Sequence, residues 1–342
     1  MEFKKVLLDS LESVYTVCHL QHPDGEYVLA ASEGKEGACF AYDVRNQFQK
    51  QLVWQGPGGT RSIIQVPGSL DFVATQGFYP DYDAAHCRLV YGHFENGSWL
   101  IQPMQDFPYL HRFDLIAAKE GQGVHFLGLS IANSKLFPED WLDRGKVYVG
   151  HLDREGQQLE AVEELPLRLL KLHGYFPVHQ EGYSFISAVE GVFKLHIPER
   201  LGAPWSVEQV YDQEISDLVE VNWSGPEAKD KALILGFQGD RLQVLNALFQ
   251  QEIYRFPEAT PFVQALWAGS LAGRASVLLG YREGRAELLL LQMQEQEVVT
   301  YRVAEQVGAT SVLAFNYEGQ DYILSANRAQ NQLVCYQIVK KD

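Results

Sequence analysis

The chain has few cysteines, little positive charge and no long apolar run, and each shortage removes a class of protein. Cys18, Cys39, Cys87 and Cys335 are scattered without a C-x-x-C pair, each in an apolar, strand-like setting. That pattern predicts buried free thiols rather than disulfides or a zinc site. Lysine and arginine total 28 against 44 acidic residues, a formal charge of −16. Phosphate backbones and anionic lipid are bound through clustered positive charge, so nucleic acid and membrane partners are not expected. No stretch reaches the 18 or so apolar residues of a membrane helix, and Asp9 and Glu12 interrupt the segment where a signal peptide needs an unbroken apolar core. A cytoplasmic protein is the expectation. Walker A, G-x-G-x-x-G, H-E-x-x-H and G-x-S-x-G stretches are absent. ATPase, Rossmann dehydrogenase, zincin and α/β-hydrolase readings lose their usual support, and no nucleotide cofactor is expected.

What is present is a repeat. A short apolar run that ends in a small residue and a polar turn occurs seven times, ending at Ser32, Thr75, Ser130, Ser187, Gly236, Gly280 and Ser325, in steps of 43 to 57 residues. Most units add a preceding strand, a second β-rich segment and a third, more polar one, which together make a four-stranded propeller blade. The chain is therefore expected to be all-β, a single seven-bladed β-propeller domain over residues 1–342. Its blades fall at about 11–56, 61–106, 109–166, 170–213, 215–257, 262–304, and 309–339 plus 3–9. The last blade lacks an outermost strand, while FKKVLLD at residues 3–9 has no partner of its own. An N-terminal strand closing the last blade resolves both defects by pairing two orphan edges.

The repeat is uneven where function tends to collect. From the end of the apolar run to the next strand, the loop takes 13 residues in the second unit (Thr75 to Arg88) and 16 in the third (Ser130 to Lys146), against 5 to 8 elsewhere. Loops lengthen at little entropic cost and carry binding groups on a rigid scaffold. The first holds Gln76, Tyr79, Asp81, Asp83 and His86; the second holds Asn133, Lys135, Asp140 and Trp141. Aromatics mixed with carboxylates and amides suit a sugar, whose ring has an apolar face and a hydroxyl edge. The loops could equally be caps that plug the channel. His111 and His173 open the innermost strands of neighbouring units, and Arg61 opens that of the second. A base beside a positive stabiliser is what proton abstraction next to a carbonyl requires. Glu190 and Arg328, in short loops of other units, complete a candidate polar rim. His86, His111 and His173, with Asp81 or Asp83, could hold one divalent ion such as Mg, Mn or Zn, although no spacing rule supports such a set.

Tyr109-Leu110-His111-Arg112-Phe113-Asp114, Asn133-Ser134-Lys135 with Asp140-Trp141, Gly145-Lys146-Val147-Tyr148, and His173-Gly174 followed by Glu190-Gly191-Val192-Phe193 resemble the propeller part of aldos-2-ulose dehydratase and its bacterial relatives. NWSGPEAKDKALILGFQGD is similar to a worn FG-GAP or VCBS repeat without the D-x-D-G-D calcium run. The resemblance spans roughly residues 105–195 and implies an eliminating carbohydrate enzyme with metal ions. On that reading a cytoplasmic lyase or dehydratase takes a keto- or anhydro-sugar. His111 or His173 removes the proton, Arg61, Lys135 or a metal steadies the enolate, and Tyr79 or Asp140 protonates the leaving oxygen. Gln76, Asp81, Asn133, Lys135, Trp141, Glu190 and Arg328 then bind the substrate. The alternative is a non-enzymatic propeller scaffold for protein or sugar binding, with Leu248, Phe249 and Trp267 as a candidate apolar patch, since fold alone does not settle function.

Overall fold

A computed structural model describes residues 1–339 apart from 122, 224–229, 236–241, 247, 257–260 and 295–296. Its contacts group into two compact units, residues 18–212 and residues 1–17 with 213–342.

Four four-stranded antiparallel sheets, all within the first unit but for residues 14–17 of the first strand, are laid down in chain order. The first sheet begins with Val14–His22, and the others are headed by Ile63–Gln65, Leu110–Ala117 and Gly174–Val178. The second strand of each sheet is the apolar run of the repeat. Phe72–Gln76, Val124–Ser130 and Tyr183–Ala188 are buried at every position. A strand covered on both faces reads as a continuous apolar run rather than an alternation, which is why these segments stood out. The outermost strands face water: Gln158–Leu169 buries only Leu165 and Leu169. Close approach explains one glycine beside the long third loop. A Cβ on Gly145 would lie 2.0 Å from the Ser130 carbonyl oxygen, so only glycine lets that loop re-enter its sheet there.

In the second unit, Val263–Leu271, Arg274–Tyr281, Leu288–Gln294 and Glu297–Ala304 form one sheet. Ala309–Tyr317, Gln320–Asn327 and Gln332–Val339 form another, completed by the N-terminal strand Glu2–Ser10. That strand runs antiparallel to the last one, from Glu2 opposite Val339 to Ser10 opposite Gln332. The orphan strand and the open edge do satisfy each other.

The expected count of seven blades is corrected. Six sheets are described in backbone and side chain across all four strands and stand as full blades. The fifth repeat differs. Ile215–Val221, Asp230–Leu235, Leu242–Leu245 and Glu252–Arg255 hydrogen-bond as a sheet, but its outer two strands have only four residues each. The side chains of Asp230–Leu235 and the repeat's anchor Gly236 lie outside the described residues. Spacing between apolar runs credits every run as a blade, because it registers the buried second strand and not the length of the strands outside it.

All four cysteines are free thiols. Burial pushes Cys18, Cys87 and Cys335 up to about 12, so they are inert apolar fillers.

Candidate functional site

The long loop of the second sheet folds inward. Phe78, Ala84 and Cys87 belong to the same buried cluster as Phe113 and Phe126. Arg61 fastens it. Its Nη1 lies 2.8 Å from Glu33 Oε2, in a pair whose side chains are 9% and 2% exposed. Nε donates to the Phe78 carbonyl at 3.3 Å and Nη2 to the Tyr79 carbonyl at 3.1 Å, while the guanidinium sits 5.0 Å from the centre of the Phe78 ring. Two buried charges that meet in this way are costly to separate, because either one left alone is desolvated and uncompensated. Arg61 thus spends its donors on Glu33 and the loop backbone. Tyr79 is half-buried, its backbone N–H given to Asp83 and its ring 5.4 Å from Lys35 Nζ. Gln76 is buried and accepts from Arg88, and Asp81 and His86 are exposed.

His111 and His173 do meet. Their ring centroids are 4.7 Å apart, with 5% and 4% exposure, and the Phe78 ring stands edge-on to His111 at 5.7 Å. Burial above all, then the neighbouring His173, Arg112 and Arg61, holds His111 well below the ordinary histidine range. Nδ1 of His111 is buried without a hydrogen-bond partner. An imidazole so far depressed is neutral near pH 7 and a weak base, which counts against proton abstraction by His111. Among the described residues no three histidine, cysteine, aspartate or glutamate side chains gather closely enough for a metal. The set His86, His111 and His173 is not assembled, because His86 is on an exposed loop and the other two are buried.

The loop of the third sheet is built the other way round. Its polar residues bind one another. Asp143 Oδ2 accepts from Asn133 Nδ2 at 2.6 Å and Ser134 Oγ at 2.7 Å. Asp140 takes the backbone N–H of Leu136 on one oxygen and that of Leu142 on the other, each at 3.1 Å. These hydrogen bonds hold both carboxyls below the usual aspartate range. Lys135 donates from Nζ to the Asp140 carbonyl and lies 3.2 Å from the Trp141 ring centre and 5.1 Å from that of Tyr82. The two rings meet edge-to-face at 4.7 Å. Desolvation lowers Lys135 to about 8, with Lys171 acting in the same direction against Asp140 and Glu139. With the polar groups turned inward, the apolar ones are left outside: Leu136 is 90% exposed, Phe137 57% and Leu142 92%.

Of the remaining expected rim, Glu190 pairs with Arg144 at 2.9 Å and accepts the Leu170 N–H. Arg328 opens a short 3₁₀ turn in the unit of residues 213–342. Of the alternative apolar patch only Leu248 is well exposed, Phe249 being buried and Trp267 half-buried. Sequence reading missed Glu33 as the partner of Arg61. Asp114 accepts from both Tyr175 Oη and His179 Nε2, joining the third sheet to the fourth. The alternation Arg112, Asp114 along one strand signalled a side chain pointing away from His111, but nothing in the local sequence named the partners sixty residues on.

No family model matches this chain, and no curated protein does. Solved structures do match. One, described as the structure of the Dos1 propeller, has a TM-score of 0.54 at 7% identity, over 92% of this chain and 76% of that one. Another, BBS1N in complex with ARL6DN, has a TM-score of 0.58 at 10% identity, over 99% and 98%. Likeness at such identities establishes an all-β propeller, and none of it bears on dehydratase activity. Among the described residues no helix is long and apolar enough to cross a membrane.

Proposed function

We propose that this propeller is a protein-binding scaffold and that residues 131–145 are its docking element. The observation that carries the reading is the inverted loop: Asp140 and Lys135 hold its backbone and Asp143 ties down the Asn133 and Ser134 side chains, while Leu136, Phe137 and Leu142 face water. Exposed apolar groups on a backbone already fixed by hydrogen bonds lose little entropy on binding, which is the economy of a preorganised hot spot. One solved structure of similar fold, BBS1N, is in complex with ARL6DN. Exposed Asp81 and Glu139 and a formal charge of −16 favour a partner whose apolar pocket is framed by basic residues.

Photo-crosslinking in native cells tests this, with the reactive residue placed at 136, at 142 or, as control, at 248. Discrete adducts of one protein at 136 and 142, absent at 248 and lost with Phe137→Ser, are expected. Adducts of equal pattern at 248, or none at 136 and 142, would overturn it.

The sugar-lyase reading keeps one supporting observation, the adjacent His111 and His173. A stabilising shift with keto-sugars that His173→Ala abolishes would restore it.

A further inference from the structure

The two long loops meet at a pair of rings. Tyr82 comes from the loop of the second sheet and Trp141 from that of the third, with centroids 4.7 Å apart and planes at 80°. Lys135 Nζ lies in the corner between them, 3.2 Å from the centre of Trp141 and 5.1 Å from that of Tyr82. Lys50 and Lys194, by contrast, each lie on a single ring, Phe40 and Tyr183, at 3.8 Å. Two rings set at nearly a right angle attract one cation from two sides. Asp140 and Glu139 add to that attraction, against Lys171, whose Nζ is 5.6 Å from the same Trp141 ring.

Lys135 matches the charge of this corner but not its chemistry. Of the three N–H bonds of its ammonium, one is accepted by the Asp140 carbonyl, and ring faces offer no comparable acceptor for the others. Burial, assisted by Lys171, lowers Lys135 to about 8 in spite of the two carboxylates, so the hydration lost here outweighs their attraction.

We infer that the corner of Tyr82 and Trp141 is a cage for a trimethylated lysine of the docking partner, and that Lys135 is an internal occupant which the partner's side chain displaces. A trimethylammonium carries the same charge and has no N–H to leave unmet, so it loses less by entering the corner than a primary ammonium does. Its methyl groups add apolar contact with both rings. Asp140 still accepts the N–H groups of Leu136 and Leu142 once Lys135 has left, so the corner opens while the loop stays formed. Leu136 and Phe137, next to Lys135 in the chain and exposed, then face the residues that flank the methylated lysine. Phosphocholine offers the same quaternary ammonium, but its phosphate would meet Asp140 and Glu139, which favours a side chain as the source. The protein source rests on the docking reading; the preference of the corner for a quaternary ammonium does not.

The test titrates the full chain by calorimetry with Nα-acetyl-Nε-trimethyllysine amide, beside the unmethylated lysine amide, phosphocholine and an uncharged analogue in which carbon replaces the quaternary nitrogen. Lys135→Ala should bind the trimethyl compound about tenfold more tightly than wild type does, because the competing occupant is gone. The same variant should prefer it about tenfold over each of the other three compounds. Adding Trp141→Ala to Lys135→Ala should abolish binding. A thermal midpoint confirms that each variant is folded, and Lys135→Gln together with the wild-type ranking of the four compounds decides if Lys135→Ala is not. Equal binding of the uncharged analogue, tighter binding of phosphocholine, binding that survives Trp141→Ala, or no binding to a folded Lys135 variant would overturn the proposal. Selective binding without crosslinking at 136 or 142 would instead sink the docking reading alone.

Discussion

The two long loops are near equals in length and composition, and they fold in opposite senses. In the second sheet the apolar residues Phe78, Ala84 and Cys87 enter the core and a buried ion pair holds the loop backbone down on them. In the third sheet Asp140 and Lys135 turn in on the backbone, Asp143 takes the side chains of Asn133 and Ser134, and Leu136, Phe137 and Leu142 are left in water. Aromatic and acidic content does not tell the two apart. What decides is where the backbone finds its partners: in the core through Arg61 for one loop, in its own carboxylates for the other. The first loop is therefore held by the core, and the second by its own polar residues.

The largest effect should come from cutting the anchor of the inner loop. Glu33→Gln or Arg61→Ala leaves the other charge buried and should cost about 3–5 kcal/mol in urea unfolding. A loss below about 1 kcal/mol would mean that the pair is not what secures the loop. Next comes a matched pair of phenylalanines. Phe78→Ala should cost about 3–5 kcal/mol, whereas Phe137→Ala, at an exposed position, should stay within about 0.5 kcal/mol. Equal losses would erase the distinction between the loops.

The smaller effects are specific to one side. His111 lies against Phe78 and is kept neutral, its value depressed below that of the unfolded chain. The unfolded state takes up a proton below about pH 6.5 and the folded state does not, so this contribution is intact above that pH and is lost as pH falls below it. Between pH 7.5 and 5.5 the loss should be about 1.4 kcal/mol, absent from His111→Gln when urea midpoints at the two pH values are compared. In the outer loop, Asp143→Ala should leave the thermal midpoint almost unchanged yet speed chymotrypsin cleavage after Phe137, because it removes the acceptor of Asn133 and Ser134 alone.

Much of the architecture was legible because buried second strands announce themselves: Val124–Ser130 is buried throughout and apolar or small at every position but His125. The N-terminal strand was legible for a similar reason, since an unpaired apolar segment and an incomplete sheet imply each other. The shortness of the outer strands in the fifth repeat was not, because the spacing of apolar runs registers the second strand alone. Within the candidate site, strand position brought His111 beside His173, and loop length singled out the two loops that fold in opposite senses. The sense in which each loop folds was hidden. It rests on Glu33 reaching Arg61 from 28 positions away and on Asp140 capping its own neighbours, and neither contact has a pattern in one dimension.

The most direct measurement is crosslinking from position 142 with position 248 as its control, since both leucines are exposed, at 92% and 67%. A scaffold that docks through residues 131–145 gives one discrete partner adduct at 142, lost with Phe137→Ser, and none at 248. Equal adducts at the two positions, or an adduct at 142 that survives Phe137→Ser, would contradict it.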